Sequence, residues 1–260
     1  MLDVEETGSY SFEAPGLDVP SGRDNLIVSS FERLHPADDI AFRVESDIPL
    51  ARGLGSSAAA ILAGLMAADH LYELGNSREE LFELACEIEG HPDNVAAALF
   101  GGFTVAAPGG AGAPAQLTPP EGLEALLVIP AEEVSTEAAR AAMPAEVPIG
   151  DAIANVAAAS NLVLGIERSD LALIGRGLAD RLHQDRRAHL FPRSMEAIAA
   201  ARELGAIGAT ISGAGPTVLV WSYWQTGAKV LAGLESLADG WAQVRRAPFS
   251  PRGARVDLPR

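Results

Sequence analysis

The segment Ile48–His70, IPLARGLGSSAAAILAGLMAADH, joins a loop rich in glycine and serine directly to an alanine-rich helix. Two glycines, Gly53 and Gly55, allow the backbone to curl so that successive N–H groups point the same way. Ser56 and Ser57 add hydroxyl donors, and the helix that follows presents its positive N-terminal end. The loop is therefore suited to a phosphate group, but serine before an alanine run is also an ordinary helix cap. The residues alone leave these two interpretations equal.

Two common phosphate-binding motifs do not fit this loop. Gly53, Gly55 and Ala58 match the spacing of the dinucleotide fingerprint. That motif needs a strand running into the first glycine and a second strand ending in an acidic residue about 20 positions later. Pro49 interrupts the first strand, and the later region, 71–73, joins one helix to another. A Walker A loop requires Gly-Lys-Ser/Thr, and this segment contains no lysine.

Composition limits the class of protein. The 260 residues carry 19 basic and 35 acidic side chains, and the net charge of -16 argues against nucleic acid or an anionic membrane as a partner. With 48% hydrophobic residues, the chain is long and apolar enough to bury a substantial core. The single cysteine, Cys86, precludes an internal disulfide, and we expect inert packing in a cytoplasmic protein. We also expect no signal peptide and no apolar run of about 20 residues that could span a membrane.

Hydrophobic periodicity indicates an α+β fold with sheets that are largely antiparallel. Alternation predicts strands from Leu2, at Ser9–Ala14 and at Asp39–Ser46, and a helix before the third strand that Asp24 caps. The later predicted elements are helices at 57–71, 78–88 and 94–100, strands at GGFTVAA and LEALLVIP, a surface loop at 108–122, a mostly helical region at 135–204, and a closing strand, helix and strand.

Two further loops are candidates for a binding site. The segment EIEGHPDNVAAALFGG crowds four polar side chains between two predicted helices, namely Glu89, His91, Asp93 and Asn94. Each could be a satisfied helix cap or could face a cavity near the helix start. A zinc site is disfavoured because no third ligand lies at helical spacing. In ISGAGPTVLVW, the glycines and proline of 213–216 predict a tight turn that a ligand could approach closely, although such turns are common.

The three loops together resemble the GHMP kinase superfamily and, within it, the homoserine kinase family. The form PLARGLGSSAAA followed by EGHPDNVAAALFGGF carries the resemblance, and SGAGPT, VSTEAARAAMP and LHQDRRAHLFP strengthen it. It extends from about Asp24 to the end of the chain, and its first two motifs are highly specific. The resemblance implies a two-lobed α+β fold, with an N-terminal ATP-binding lobe at 1–130 and a C-terminal lobe at 131–260 that closes the substrate site.

The resemblance also implies a reaction and a set of residues. The γ-phosphoryl of ATP would pass to the hydroxyl of L-homoserine, giving O-phospho-L-homoserine in threonine biosynthesis. Ser57 and Glu89 would bind Mg²⁺, a hard cation that prefers oxygen ligands. The implied catalytic residues are Asn94, Arg140 and Arg187. The implied substrate-binding residues are His91, Asn94, Arg140, Arg187 and Gly213. The implied ATP-binding residues are Asn25, near the adenine, with Pro49, Leu50, Ala51, Arg52, Gly53, Leu54, Gly55, Ser56, Ser57 and Ala58.

Two of these roles differ from what the residues alone would indicate. Arg140 and Arg187 suit an α-carboxylate because of their forked donors, but each alone is better interpreted as part of an exposed helix face. Related kinases place an aspartate base near the acceptor hydroxyl, where homoserine kinases carry an asparagine, here Asn94. Asparagine cannot accept the proton, so positioning with Mg²⁺ would have to suffice, and Asp93 is expected to cap or support the helix.

The chain departs from the family at its start. The family opens with a strand and a motif of the form Pro-x-Ser/Thr-x-Ala-Asn-Leu-Gly-Pro-Gly-Phe-Asp, which this sequence does not contain. Met1 falls about where the next strand would begin, so we expect a mis-assigned start codon, with a genuinely shortened protein as the alternative. Because the loss of a strand exposes a sheet edge and uncovers core, the chain as written is expected to be unstable or inactive. Two other functions stay open, another small-metabolite kinase of the superfamily and an ATP-binding protein without catalysis. The family also implies a possible homodimer.

Overall fold

The structure is a computed structural model that describes residues 1–107, 112–134 and 136–257, without the side chains of three residues, Thr136, Glu137 and Arg140. Two compact units are formed from interleaved stretches of the chain. Unit 1 comprises Met1–Pro49, Gly55–Gln116 and the C-terminal segment from Ser250. Unit 2 comprises Leu50–Leu54 and Leu117–Phe249. These bounds differ from the lobes predicted at 1–130 and 131–260, whose functional roles stay predictions.

A three-stranded sheet opens unit 1. Its strands are β1 (Leu2–Glu6), β2 (Ser11–Glu13) and β3 (Ile40–Val44), in the order β1–β3–β2. The pair β1–β3 is antiparallel, and the pair β2–β3 is parallel. The three strands predicted by alternation in this region are therefore confirmed. Phe42 of β3 packs its ring edge-on against Phe31, at 5.2 Å between centroids, in the core beneath this sheet.

The helices of unit 1 are α1 (Leu26–Phe31), α2 (Ser56–Leu71), α3 (Arg78–Glu89) and α4 (Asp93–Phe100). The prediction that Asp24 caps α1 is wrong, because the Asn25 side chain accepts the hydrogen bond from the Ile27 N–H. Helix α3 begins with a capping box formed by Ser77 and Glu80. Buried residues of α2 recur every three or four positions and pack against α3 and α4, among them Ala58, Ile61, Leu62 and Leu65.

A two-stranded sheet of β4 (Phe103–Val105) and β5 (Ala115–Leu117) follows α4. Strand β5 lies inside the stretch 108–122 that was predicted to be entirely loop, so that prediction is wrong for this part. Residues 108–111 of the same stretch lie outside the described residues. The C-terminal segment returns to unit 1, where the Gly102 N–H donates to the Ser250 carbonyl at 2.7 Å.

Unit 2 is built on a four-stranded antiparallel sheet. Its strands are β6 (Leu123–Pro130), β7 (Gly208–Ile211), β8 (Val218–Tyr223) and β9 (Ala242–Ala247), in the order β7–β8–β6–β9. The helices are α5 (Thr136–Ala141), α6 (Ile149–Arg168), α7 (Leu171–Gly177), α8 (Gln184–Arg187), α9 (Pro192–Leu204) and α10 (Trp224–Ala238), with a 3₁₀ turn at Ala188–Leu190. The core lies between the sheet and the helices α9 and α10. The α+β fold with largely antiparallel sheets is confirmed.

Helix α6 differs from what the sequence predicted. Within the described residues it is the one helix long and apolar enough to cross a membrane by length and composition, and most of it is not buried. The expectation that no apolar run reaches this length is therefore wrong. Its exposed side includes Ile149, Ile153, Val156 and Leu164, whose successive spacings of four, three and eight residues place them on one face. We call this set the α6 stripe.

Candidate active site

The N-terminus of α2 is open to an anion. Gly55 precedes the helix in the left-handed region, at φ 73°, and no side chain caps the first turn. No acidic residue belongs to that turn either, so no carboxylate of the helix itself offsets its free N–H groups and the positive end of the helix dipole. Of the two interpretations left equal by the sequence, the phosphate site is favoured over the ordinary serine cap.

Ser57 and Glu89 meet beside this helix start. The Ser57 hydroxyl donates to Glu89 Oε2 at 2.5 Å, and the Glu89 side chain is 9% exposed. His91 Nε2 lies 3.8 Å from the other carboxylate oxygen of Glu89. A nearly buried carboxylate beside a hydroxyl fits Mg²⁺, which takes one or two protein oxygens and completes its shell with phosphate and water. No cluster of three or more His, Cys, Asp or Glu suited to a metal ion occurs among the described residues.

Asn94 lies close to the glycine that begins α2. A Cβ placed on Gly55 would be 3.3 Å from Asn94 Oδ1, so the absence of a side chain at position 55 permits this approach. Asp93 accepts a hydrogen bond from the Asn94 N–H at 2.8 Å and lies 2.7 Å from His91 Nδ1. Asp93 thus supports the helix start and its neighbour histidine, as the sequence predicted. Unit 1 therefore brings together five predicted site residues, Gly55, Ser57, Glu89, His91 and Asn94.

In unit 2, the third glycine loop packs directly on Gly53. The Ser212 hydroxyl donates to the Gly53 carbonyl at 2.7 Å. A Cβ on Gly53 would lie 2.3 Å from the Ser212 carbonyl oxygen and 2.8 Å from that of Gly215, distances that no side chain tolerates. Gly213 approaches from the other side less tightly, since its Cβ would lie 3.2 Å from the Gly53 carbonyl oxygen, and its own φ of 54° also favours glycine. Both loops need glycine because their backbones touch.

Arg187 and Arg140 belong to neighbouring helices of unit 2. Arg187 Nε donates to the carbonyl of Ala139 at 2.8 Å, and Ala139 precedes Arg140 on α5. Arg187 is thus tied to the helix that carries Arg140. The side chain of Arg140 lies outside the described part of the structure, so its predicted role stays a prediction.

The other predicted residues are placed as follows. Asn25 is 5% exposed, and its amide donates to the Pro20 carbonyl as well as capping α1. Ala58 is fully buried in the core of unit 1. The remaining members of the predicted ATP loop lie in sequence around the two glycines, with Pro49 and Ser56 in unit 1 and Leu50, Ala51, Arg52 and Leu54 in unit 2. The binding roles of all these residues stay predictions.

Sequence analysis missed Asp180, which organises the turn before α8. Its carboxylate accepts hydrogen bonds from the backbone N–H groups of Leu182, His183 and Gln184 and from the amide of Asn155. Burial alone would raise the pKa of Asp180, but the hydrogen bonds from Gln184, Asn155 and Leu182 outweigh it and lower the pKa to about 2. The signal was present in the sequence, since an aspartate just before a short helix is a frequent N-terminal cap.

Replacing Asp180 by asparagine should lower the free energy of unfolding by about 2 kcal/mol at neutral pH. The native pKa of Asp180 lies below its ordinary value of 3.8. Its contribution is therefore complete above pH 4 and is lost as the pH falls toward 2. The free energy of unfolding, measured with urea, should fall less steeply between pH 7 and pH 3 for Asp180→Asn than for the parent chain. Asp185→Asn, an exposed neighbour in α8, is the control, and equal slopes for Asp180→Asn and the parent would contradict the prediction.

Comparison with known proteins gives the class to which these loops belong. Residues 25–102 match the family described as GHMP kinases N terminal domain, and residues 162–239 match GHMP kinases C terminal. The matched segments contain the helix start with Gly55, the Glu89–Asn94 loop and the turn after β7.

Individual relatives narrow the class. The chain is 44% identical over 202 residues to a homoserine kinase of Thermus thermophilus, covering 76% of this chain and 69% of that protein. It is 37% identical over 257 residues to a homoserine kinase of Synechococcus sp. strain CC9605, covering 94% and 81%. The crystal structure of a homoserine kinase from Cytophaga hutchinsonii superposes with a TM-score of 0.86 at 27% identity, covering 97% and 86%. The chain belongs to the homoserine kinase family of the GHMP kinases.

Proposed function

We propose that this chain transfers the γ-phosphoryl group of ATP to the hydroxyl of L-homoserine, giving O-phospho-L-homoserine and ADP. One observation carries the proposal. The uncapped start of α2, with Ser57 and Glu89 paired beside it, occurs in a chain that shares 44% identity with a homoserine kinase. The alternative of another small-metabolite GHMP kinase is not favoured, because the relatives cited at 37–44% identity are homoserine kinases.

The nucleotide is proposed to bind with its triphosphate at the glycine loop. Backbone N–H groups of 54–57 and the Ser56 hydroxyl would donate to phosphate oxygens at the positive end of α2. Ser57 and Glu89 would hold Mg²⁺, which would supply positive charge to offset that of the phosphates. Glu89 is suited to this because its largely buried carboxylate is fixed by the Ser57 hydroxyl before any metal arrives.

The acceptor chemistry needs no strong base. The homoserine hydroxyl oxygen forms the new P–O bond, the bond to the β–γ bridging oxygen breaks, and its electron pair leaves with ADP. Because the transition state is loose, the hydroxyl loses its proton late, to solvent or to the transferred phosphoryl group. Asn94 is proposed to orient the hydroxyl by hydrogen bonding, with His91 and Gly213 against the amino acid. Arg140 and Arg187 are proposed to hold its carboxylate.

An acceptor comparison tests the proposed substrate. Initial rates at fixed MgATP are measured with L-homoserine, mevalonate and phosphomevalonate. We expect L-homoserine to exceed the others by at least about 10²-fold in kcat/KM, since a site built for an amino acid leaves polar groups unpaired with a substrate that lacks one. A preference for another acceptor would overturn the substrate assignment. Nucleotide binding without turnover of any acceptor would favour the ATP-binding protein without catalysis.

We further propose that this protein is a cytoplasmic enzyme. We also propose that it forms a dimer with a second copy of itself through the α6 stripe. Ile149, Ile153 and Val156 are 77%, 62% and 69% exposed, a large apolar face for a chain with a net charge of -16. From Ala152 to Ile166 the helix carries no charge, so two copies can approach there without repulsion. An antiparallel pairing would place the acidic start of one helix, at Asp151, beside the Arg168 end of the other.

Val156→Glu should therefore convert the protein from dimer to monomer in sedimentation velocity at micromolar concentration, because a carboxylate in the middle of an apolar interface must be desolvated. Leu237→Glu, at an exposed apolar position of α10, is the matched control and should leave the dimer intact. A parent chain that is monomeric, or that sediments only with added lipid vesicles, would contradict the second-copy assignment.

A further inference from the structure

Arg52 lies in the middle of the glycine loop, where a guanidinium would ordinarily be expected to bind phosphate. Its donors are directed elsewhere. Nε donates to the Pro130 carbonyl at 2.9 Å and Nη2 to the Ala131 carbonyl at 2.6 Å, both at the end of β6. Nη1 donates to the Leu50 carbonyl at 3.1 Å and lies 2.9 Å from Glu133 Oε1. The side chain is only 14% exposed.

Three of the five N–H donors that a guanidinium has are thus hydrogen-bonded, one on each nitrogen, and Nη1 is also ion-paired with Glu133. Bidentate binding of a phosphate needs two donors along one edge of the fork. Every nitrogen of the Arg52 guanidinium already has a protein partner, so bidentate binding of a phosphate would compete with the bonds to the carbonyls and with the Glu133 carboxylate. Releasing the guanidinium toward a phosphate would also leave the part-buried carbonyl of Pro130, at the end of β6, without its donor, which is unfavourable.

The contacts stabilise a strained part of the loop. Ala51 has φ 52°, in the left-handed region that residues with a side chain rarely adopt. Arg52 Nη1 donates to the carbonyl of Leu50, the residue before Ala51. Nε and Nη2 donate to carbonyls at the end of β6 and so attach the loop to that strand. On the other side, the Ser212 hydroxyl holds the carbonyl of Gly53. The loop is thus held in shape from both sides within unit 2 by protein groups alone.

We propose that Arg52 and Glu133 are a positioning pair that preforms the phosphate loop, and that the Arg52 side chain does not itself bind the nucleotide. The proposal rests on the function proposed above. It makes a prediction that direct phosphate contact does not. If the pair positions the loop, removing the Glu133 carboxylate weakens nucleotide binding. If Arg52 instead binds phosphate, removing that carboxylate frees the guanidinium, and nucleotide binding is unchanged or stronger.

The test compares Arg52→Ala, Arg52→Lys, Glu133→Gln and the double variant Arg52→Ala/Glu133→Gln in the full chain, with Glu132→Gln as the exposed neighbouring control. The readouts are the Kd for MgADP by calorimetry, the KM for MgATP, the KM for L-homoserine and thermal unfolding. We expect Arg52→Ala to raise the MgADP Kd about tenfold, and Arg52→Lys nearly as much, because lysine cannot reproduce the fork. Glu133→Gln should raise it about two- to fivefold, as expected for an exposed partner.

The double variant should bind MgADP no more weakly than Arg52→Ala alone, because both substitutions remove the same positioning pair. An unchanged or tighter Kd for Glu133→Gln, or additive losses in the double variant, would overturn the proposal. So would a change in the KM for L-homoserine as large as that for MgATP. Failure of the parent chain to bind MgADP at all is a separate result, which would count against the proposed function and not only against the positioning pair.

Discussion

Replacing Glu89 by glutamine should lower kcat by about 10²- to 10³-fold, equivalent to about 3–4 kcal/mol of lost transition-state stabilisation. The amide keeps the size of the side chain and can still accept from the Ser57 hydroxyl, so the local packing is preserved. What it removes is the negative charge of the proposed metal ligand. The loss should appear in kcat and in the Mg²⁺ concentration needed for half-maximal rate, measured by steady-state assay across a Mg²⁺ titration.

Glu87→Gln provides the control for Glu89→Gln. Glu87 lies on the same helix, α3, with its side chain 69% exposed and only a 3.6 Å ion pair with Arg33. This substitution removes the same charge from the chain without touching the proposed site, so activity should stay within about twofold of the parent because surface substitutions are usually near neutral. If Glu89→Gln behaves like Glu87→Gln at every Mg²⁺ concentration, the assignment of Glu89 as a metal ligand is wrong.

Gly53→Ala is expected to lower kcat/KM for ATP by about 10²-fold, because a small displacement of a positioning loop has effects of this size. Two causes add together. The new Cβ would lie 2.3 Å from the Ser212 carbonyl oxygen, which forces the two loops apart, and φ 72° is strained for any residue with a side chain. The displacement should be visible as a weaker Kd for MgADP as well as a lower rate.

Gly75→Ala separates those two causes. Gly75 has nearly the same backbone conformation, at φ 77°, but an added Cβ meets no atom within 4 Å. Its substitution should therefore cost only the backbone strain, a stability loss of about 1 kcal/mol, and leave the kinetics unchanged. Comparable kinetic losses in the two variants would show that loop contact is not what Gly53 provides.

The sequence was most informative about the parts of the site that lie close together in the chain. Gly53 and Gly55 ahead of an alanine-rich helix made an open helix start one of two equal interpretations, because glycine spacing and helix polarity are local properties. The roles of Glu89 and Asn94 came from the family resemblance, and the structure places them beside Ser57 and Gly55 within unit 1. Their mutual distances depend on how α3 and α4 pack, which no local pattern reveals.

Other features of the structure could not be predicted from a local sequence pattern. Arg52 was placed among the nucleotide-binding residues by the family resemblance, whereas two of the hydrogen-bond acceptors of its side chain lie about 80 positions away at the end of β6. Asp24 and Asn25 are both good caps, and only the backbone conformation decides between them. The apolar run of α6 was underestimated because alanine, asparagine and serine interrupt it in sequence, although the helix as a whole carries few charges.

The most direct test of the account is the product formed from MgATP and L-homoserine. The 260-residue chain, and a version extended by the in-frame codons upstream of Met1, are incubated with both substrates, and the products are followed by phosphorus NMR with homoserine omitted as the blank. The account predicts a phosphomonoester signal that matches O-phospho-L-homoserine, equal in amount to the ADP released and absent from the blank. ADP release that does not depend on homoserine, or no phosphomonoester from either version, would contradict it.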